Sequence, residues 1–184
     1  MKKTTNYYFW LGSILVFLID LSTKIWALNF LPEDEEFLIN KLISFHRIYN
    51  ESTIALDYTI PFADTTTQFR VFWLLFAFII TISIYFVIKQ KVIQQQSIET
   101  EFAKTGLFIL LGSIWGNAFD RIFRPAGVVD FIRLNLVDSI PILNFADIMV
   151  YLANFCFICS WIIILVKLIK FKKYNNTEIT TSHF

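Results

Sequence analysis

Four aspartates stand beside apolar runs in the second half of the chain: Asp120, Asp130, Asp138 and Asp147. Carboxylates near hydrocarbon are costly, and in membrane segments they usually mark a function. Two carboxylates that share a small apolar site cannot both ionise easily, so one keeps its proton. The ionised member can activate a water. The protonated member can polarise a carbonyl and later protonate a leaving amine. Such a pair needs neither a metal nor a covalent intermediate. Asp130 is the first candidate, because it lies between Val129 and Phe131 with no basic neighbour in sequence. Asp147, at the start of the last apolar run, is the second. Spacing alone leaves Asp120 and Asp138 open as partners.

The elements that must position these acids are apolar. The chain has 184 residues, 56% of them hydrophobic, with 21 phenylalanines. Its mean hydropathy is +0.58. This composition indicates an all-α membrane protein, not a large soluble core. A formal net charge of +1 implies no nucleic-acid partner. A spanning helix needs about 20 mainly apolar residues. Four spans are expected, at 7–31, 69–88, 105–120 and 146–169, the third short and polar at its end. Together, residues 1–170 read as one membrane domain, followed by a polar, frayed cytoplasmic tail at 171–184. Asp20 and Lys24 argue against reading the first span as a cleaved leader.

Basic residues set the direction. Lys2, Lys3, Lys89, Lys91, Lys104, Lys167, Lys170, Lys172 and Lys173 collect near span ends on one side. The positive-inside rule then places both termini in the cytoplasm. Residues 32–68 and the connection from Arg121 to Phe145 face outside. The first of these mixes β-branched, aromatic and polar residues, and reads as a small extracytoplasmic β-cradle on the membrane surface. The second is more apolar and is expected to lie at the interface, turning at Pro125 and Gly127.

Depth brings polar groups from three helices together. Asp20 lies roughly 20 Å along the first span, with Lys24 one turn further out. Asn117, Asp120 and Arg121 end the third span, and their i, i+3, i+4 spacing places them on one face. Asn144 and Asp147 open the fourth. Each piece also has a structural reading. Asp20 and Lys24 can form an ion pair that makes the span tolerable in lipid. Asp120 with Arg121 can anchor a helix end. Asn144 can cap a helix whose dipole favours Asp147. Cys156 and Cys159 sit in an apolar run with no charge to activate a thiol, so they read as packing residues. His46 and His183 lie far apart, and no spacing suggests a metal site.

Four short motifs, in order, resemble those of lipoprotein signal peptidases, also called signal peptidase II. "DLSTK" (Asp20 to Lys24) is similar to that family's D-Q-x-T/S-K. "GNAFDR" (Gly116 to Arg121) is similar to G-N-x-x-D-R. "GVVDF" (Gly127 to Phe131) is similar to V-V-D-F, and "NFAD" (Asn144 to Asp147) to N-x-A-D. The resemblance covers nearly the whole chain. It implies an intramembrane aspartic endopeptidase of the bacterial cytoplasmic (inner) membrane, with its active site toward the outer leaflet. Asp130 and Asp147 would be the catalytic pair. Asn50, Asn117, Arg121 and Asn144 would position the pair or the substrate, and Asp20, Lys24 and Asp120 would give polar support. The implied substrates are prolipoproteins, cut just before a diacylglyceryl-modified cysteine, with membrane lipid as the surroundings. No metal or other cofactor is implied, and a monomer is expected. Asp138 matches none of the motifs. Two departures stand out: "NESTIAL" replaces the cradle's N-x-G-A-A-F, and Leu21 replaces a glutamine. A proton-coupled transporter or an inactive relative are the competing readings. Against a transporter, the fourth span is almost entirely apolar beyond Asn154.

Overall fold

The computed structural model describes residues 2–33, 35–50, 67–136 and 141–181. Asp138 and the altered cradle motif beyond Asn50 lie outside the described residues. The described chain forms four long helices and one small sheet. The helices are α1 (Lys2–Phe30), α2 (Thr67–Lys89), α3 (Ile98–Phe123) and α4 (Phe145–Thr181). The strands are β1 (Glu36–Leu38), β2 (Ile43–Asn50) and β3 (Val128–Leu134).

Among the described residues, three helices are long and apolar enough to cross a membrane, over Tyr7–Phe30, Phe69–Lys89 and Phe145–Phe171. The segment expected as a third span belongs to the longer α3, which carries charged residues toward both ends. It is the central helix of the bundle and packs against α1, α2 and α4. Being surrounded by protein, it has less need of an apolar surface. It starts at Ile98 rather than near Thr105 because "SIET" is a helix start. The Ser97 N–H donates to the Thr100 hydroxyl at 3.1 Å, and Glu99 and Glu101 fill the first turn. At the other end of the chain, α4 runs through the polar segment expected to be frayed. "KKYNNTEITT" holds neither Gly nor Pro to stop it.

Close approach of α1 and α3 depends on glycines. Gly112 and Gly116 form a G-x-x-x-G pair on α3. A methyl group at Gly112 would meet the Ser13 carbonyl and Val16, and one at Gly116 would overlap the Asp20 carboxylate. Membrane helices associate through such small residues, which let backbones and polar side chains meet.

The sheet order is β1-β2-β3, all antiparallel. Its third strand comes from the 121–145 connection, which the apolar pattern placed only at the interface. The run "VVDFIRL" is rich in β-branched and aromatic residues, and that was the available signal. Gly127, at φ 94°, makes the turn into β3 that a side chain would strain. Trp26 ties the sheet to the end of α1, with ring centroids 5.2 Å from Phe45 and 6.1 Å from Phe131. In the β2–β3 register Asp130 lies opposite Ile48, and Asn50 opposite Val128. Asn50 is therefore the diagonal neighbour of Asp130 on the same face.

Gly116→Ala tests this contact between α1 and α3. It is expected to lower the melting temperature in detergent, by the equivalent of about 1–3 kcal/mol of overpacking. Unchanged melting would show that α1 and α3 can separate without cost.

Candidate active site

The site is built around one buried cation. Lys24, fully buried on α1, places its Nζ 2.7 Å from Asp20 and 3.3 Å from Asp120. It also donates to the Asn117 side-chain oxygen at 2.8 Å. Asp20 and Asp120 are themselves fully buried. A buried charge without partners is prohibitive, so the two acids and the lysine need one another.

Each of these supporting acids also holds a backbone N–H. Asp20 Oδ1 accepts from Ala146 at 2.8 Å, and Asp120 Oδ2 accepts from Val129 at 3.2 Å. Ala146 directly precedes Asp147, and Val129 directly precedes Asp130. The buried charge cluster thus grips the chain one residue before each candidate acid, on two different elements. The other oxygen of Asp120 accepts from Arg124 Nε at 2.6 Å. Arg124, one turn on, is thus a cation partner of Asp120 at this end of α3. Arg121 lays its guanidinium over the Trp73 ring, 4.4 Å from the centroid. Its charge still reaches Asp130, Asp147 and Asp120.

Asparagines join the cluster to the two acids. Asn117 must turn its oxygen to Lys24, because an ammonium can only donate. Its Nδ2 then points to Asp147 Oδ1, at 2.9 Å. Asn144, fully buried, donates to Asn117 Oδ1 at 3.0 Å and to Asp130 Oδ1 at 2.6 Å. Its own oxygen accepts the Asp147 N–H at 3.0 Å, while Asp147 Oδ2 accepts the Asn144 N–H at 3.0 Å. This reciprocal pair is a helix cap, so the capping role expected of Asn144 is present. It coexists with Asn144 holding Asp130. Asn50 donates to the second oxygen of Asp130 at 3.0 Å.

Asp130 is 1% exposed. Burial, and next the negative charge of Asp147, push its carboxyl up to about 6, against the pull of the amides of Asn50 and Asn144. The arrangement is a buried acid that titrates near neutrality beside a less buried one at a helix N-terminus, both held by neutral amides. Of the residues singled out in the sequence, Asp20, Lys24, Asn117, Asp120, Asn144, Asp147, Asn50 and Asp130 form one connected network. Arg121 stands beside it on the Trp73 side. Sequence reasoning missed Arg124, whose i+4 spacing from Asp120 was the available signal, and Trp73, which nothing local marks.

The fold is that of bacterial membrane enzymes. A solved structure described as a bacterial membrane enzyme, determined in meso at 2.3 Å, superposes with a TM-score of 0.64 at 21% identity, covering 85% of this chain and 86% of its own. A second such enzyme, at 1.9 Å, gives a TM-score of 0.63 at 22% identity, covering 82% and 90%. The family model described as Signal peptidase (SPase) II matches residues 13–164, and the chain belongs to that family of proteases. Among its relatives, the lipoprotein signal peptidase of Wigglesworthia glossinidia brevipalpis is 29% identical over 153 residues, 83% of this chain and 90% of that protein. The lipoprotein signal peptidase of Bartonella bacilliformis is 26% identical over 168 residues, 88% and 94% of the two chains.

Two outcomes are expected of the network. Lys24→Met leaves Asp20 without a cation and Asp120 with Arg124 alone, and should destabilise the fold by about 3–5 kcal/mol, read as a loss of monodisperse protein or a large fall in melting temperature. A variant as stable as wild type would show the cluster to be dispensable. The second outcome concerns Asp130. Because its carboxyl is raised in the folded state, its contribution to stability is full below the ordinary range near 3.8 and is lost as pH rises through about 6. The stability of Asp130→Asn relative to wild type should therefore improve by about 2 kcal/mol between pH 4 and pH 7, on top of any constant offset. Parallel melting curves of the two proteins across that range would rule out the raised carboxyl.

Proposed function

We propose that the chain is an intramembrane aspartic endopeptidase that removes the signal peptide of prolipoproteins just before the diacylglyceryl-modified cysteine. The observation that supports this most directly is Asn144. One buried amide side chain bonds Asp130 and, through its oxygen, the backbone of Asp147, so two acids from different elements share one scaffold. The family is one that processes signal peptides, and its relatives bear the name lipoprotein signal peptidase.

In this reading Asp130 and Asp147 hold one proton between them and bind a water. The ionised member takes a proton from the water as its oxygen attacks the scissile carbonyl carbon. The protonated member gives its proton to the carbonyl oxygen, forming a neutral tetrahedral diol. Collapse breaks the C–N bond. As it breaks, the pair gives the amine nitrogen the proton taken from water and receives one hydroxyl proton in return, so it ends with the single proton it began with. Asn50, Asn117 and Asn144 orient the acids without adding charge that would fix either in one state. Lys24, Asp20 and Asp120 act one layer behind, through the backbone.

All four helices cross the membrane in this reading, with α3 shielded by the others. Both termini are cytoplasmic, and the site faces the outer leaflet of a bacterial inner membrane, where a lipid-modified cysteine would lie. Residues 1–170 act as one domain, as a monomer, and the lipid of the substrate supplies most of its binding.

The experiment is a gel-shift assay with purified enzyme and a prolipoprotein, with and without its diacylglyceryl group. Wild type should cleave only the lipidated form. Asp130→Asn and Asp147→Asn should each lose cleavage by about 10³-fold or more while remaining folded. Near-normal turnover by either variant would remove it from the pair. Cleavage of the unlipidated substrate at the same rate would exclude lipid recognition.

A further inference from the structure

We propose that Trp73, on α2, is a positioning residue that sets where the Arg121 guanidinium stands beside the two acids. The inference rests on the Asp130–Asp147 pair proposed above. α2 packs against α3, and its described residues bring no carboxylate to the site. What it brings is a ring. The guanidinium of Arg121 lies over that ring at 4.4 Å from its centroid, the closest of the cation–ring contacts among the described residues. Partly desolvated cation–ring contacts of this kind are substantial.

The ring is itself held. Trp73 meets Phe69, Phe72 and Phe76 edge-on, at centroid distances of 6.3, 5.7 and 5.4 Å. Three flanking rings on one helix leave the indole little room to turn. A long arginine side chain has many rotamers, and its planar fork suits two-pronged pairing with a carboxylate. Asp130 of β3, Asp147 of α4 and Asp120 of its own helix all act on the Arg121 guanidinium, and Lys24 of α1 acts on Asp130. Where the guanidinium stands therefore decides which acid it favours in the charged form. A tilt onto Asp130 or Asp147 would bias that acid toward its proton-free state and upset the sharing of one proton. Stacking on Trp73 draws the plane of the guanidinium toward α2 while leaving its charge within reach of both acids. The helix with no acid would thus tune the pair through one aromatic face.

The test uses single-turnover cleavage of a lipidated prolipoprotein by excess full-length enzyme in detergent, so that slow variants are still measured. The variants are Trp73→Phe, Trp73→Leu, Arg121→Lys and the double variant Trp73→Leu with Arg121→Lys. Trp73→Leu should cut the cleavage rate about 3- to 10-fold, with little change in half-saturating enzyme concentration. Trp73→Phe keeps an aromatic face and should restore most of the rate. Lysine stacks poorly, so Trp73→Leu should cost little further in the Arg121→Lys background. Equal losses in Phe and Leu variants, or full multiplication of the two losses in the double variant, would overturn the proposal. If Trp73→Leu does not fold, Trp73→Met and its combination with Arg121→Lys give the same comparison, since methionine also removes the aromatic face. Cleavage by Asp130→Asn on the same substrate would sink the acid pair itself, independently of how Trp73 behaves.

Discussion

Everything at the site hangs on a single ammonium buried among oxygens. Lys24 is fully enclosed, and it meets two carboxylates and one amide oxygen. Removing any of these from water is costly, and only mutual pairing offsets the cost. That requirement has a geometric consequence. Lys24 and Asp20 are on α1, while Asp120 and Asn117 are on α3, so the cation can be satisfied only if the two helices touch. The glycine at 116 permits that contact by leaving room for the Asp20 carboxylate. Packing and electrostatics therefore specify the same helix pair, and neither would suffice alone.

The cluster also transmits position. Asp20 and Asp120 each spend one oxygen on Lys24 and another bond on a backbone N–H next to a candidate acid. Backbone amides are stiffer handles than side chains, because moving one moves the strand or helix that carries it. The start of α4 and the start of β3 are thereby tied to the same ammonium. Without that tie, the acids would sit on two elements joined through a connection partly outside the described residues.

Much of this was legible in the chain. Asp20 and Lys24, one turn apart, were placed to pair, and the depth of Asn117, Asp120, Asn144 and Asp147 implied convergence. The polar face of a membrane helix is rare enough that such spacing carries information. Other parts were not legible. β3 was hidden because "VVDFIRL" is as apolar as an interfacial segment, and strand pairing is non-local. That Arg124 reaches back to Asp120 depends on side-chain direction at the last turn of α3, which spacing alone left open. Trp73 was invisible as a site residue because an aromatic on an apolar helix is ordinarily just lipid-facing or core. α3 was read as a short span over 105–120 because its charged residues toward both ends looked like helix termini, whereas the helix runs from Ile98 to Phe123.

The amides around the acids show why Lys24 is kept one layer back. A lysine or arginine paired directly with Asp130 would hold it ionised and prevent it from carrying a proton near neutrality. Asparagine stabilises a carboxylate less, and it can bond either protonation state by offering nitrogen or oxygen. Asp130, with amides from Asn50 and Asn144 and burial working against its charge, is pushed up to about 6 rather than down. The fixed cation is still needed, because four acids in an apolar enclosure would otherwise repel. Placing it behind Asn117 supplies its field to the site while leaving the proton mobile. The separation between a rigid charge cluster and a neutral amide layer is thus what allows one enclosure to be both stable and chemically responsive.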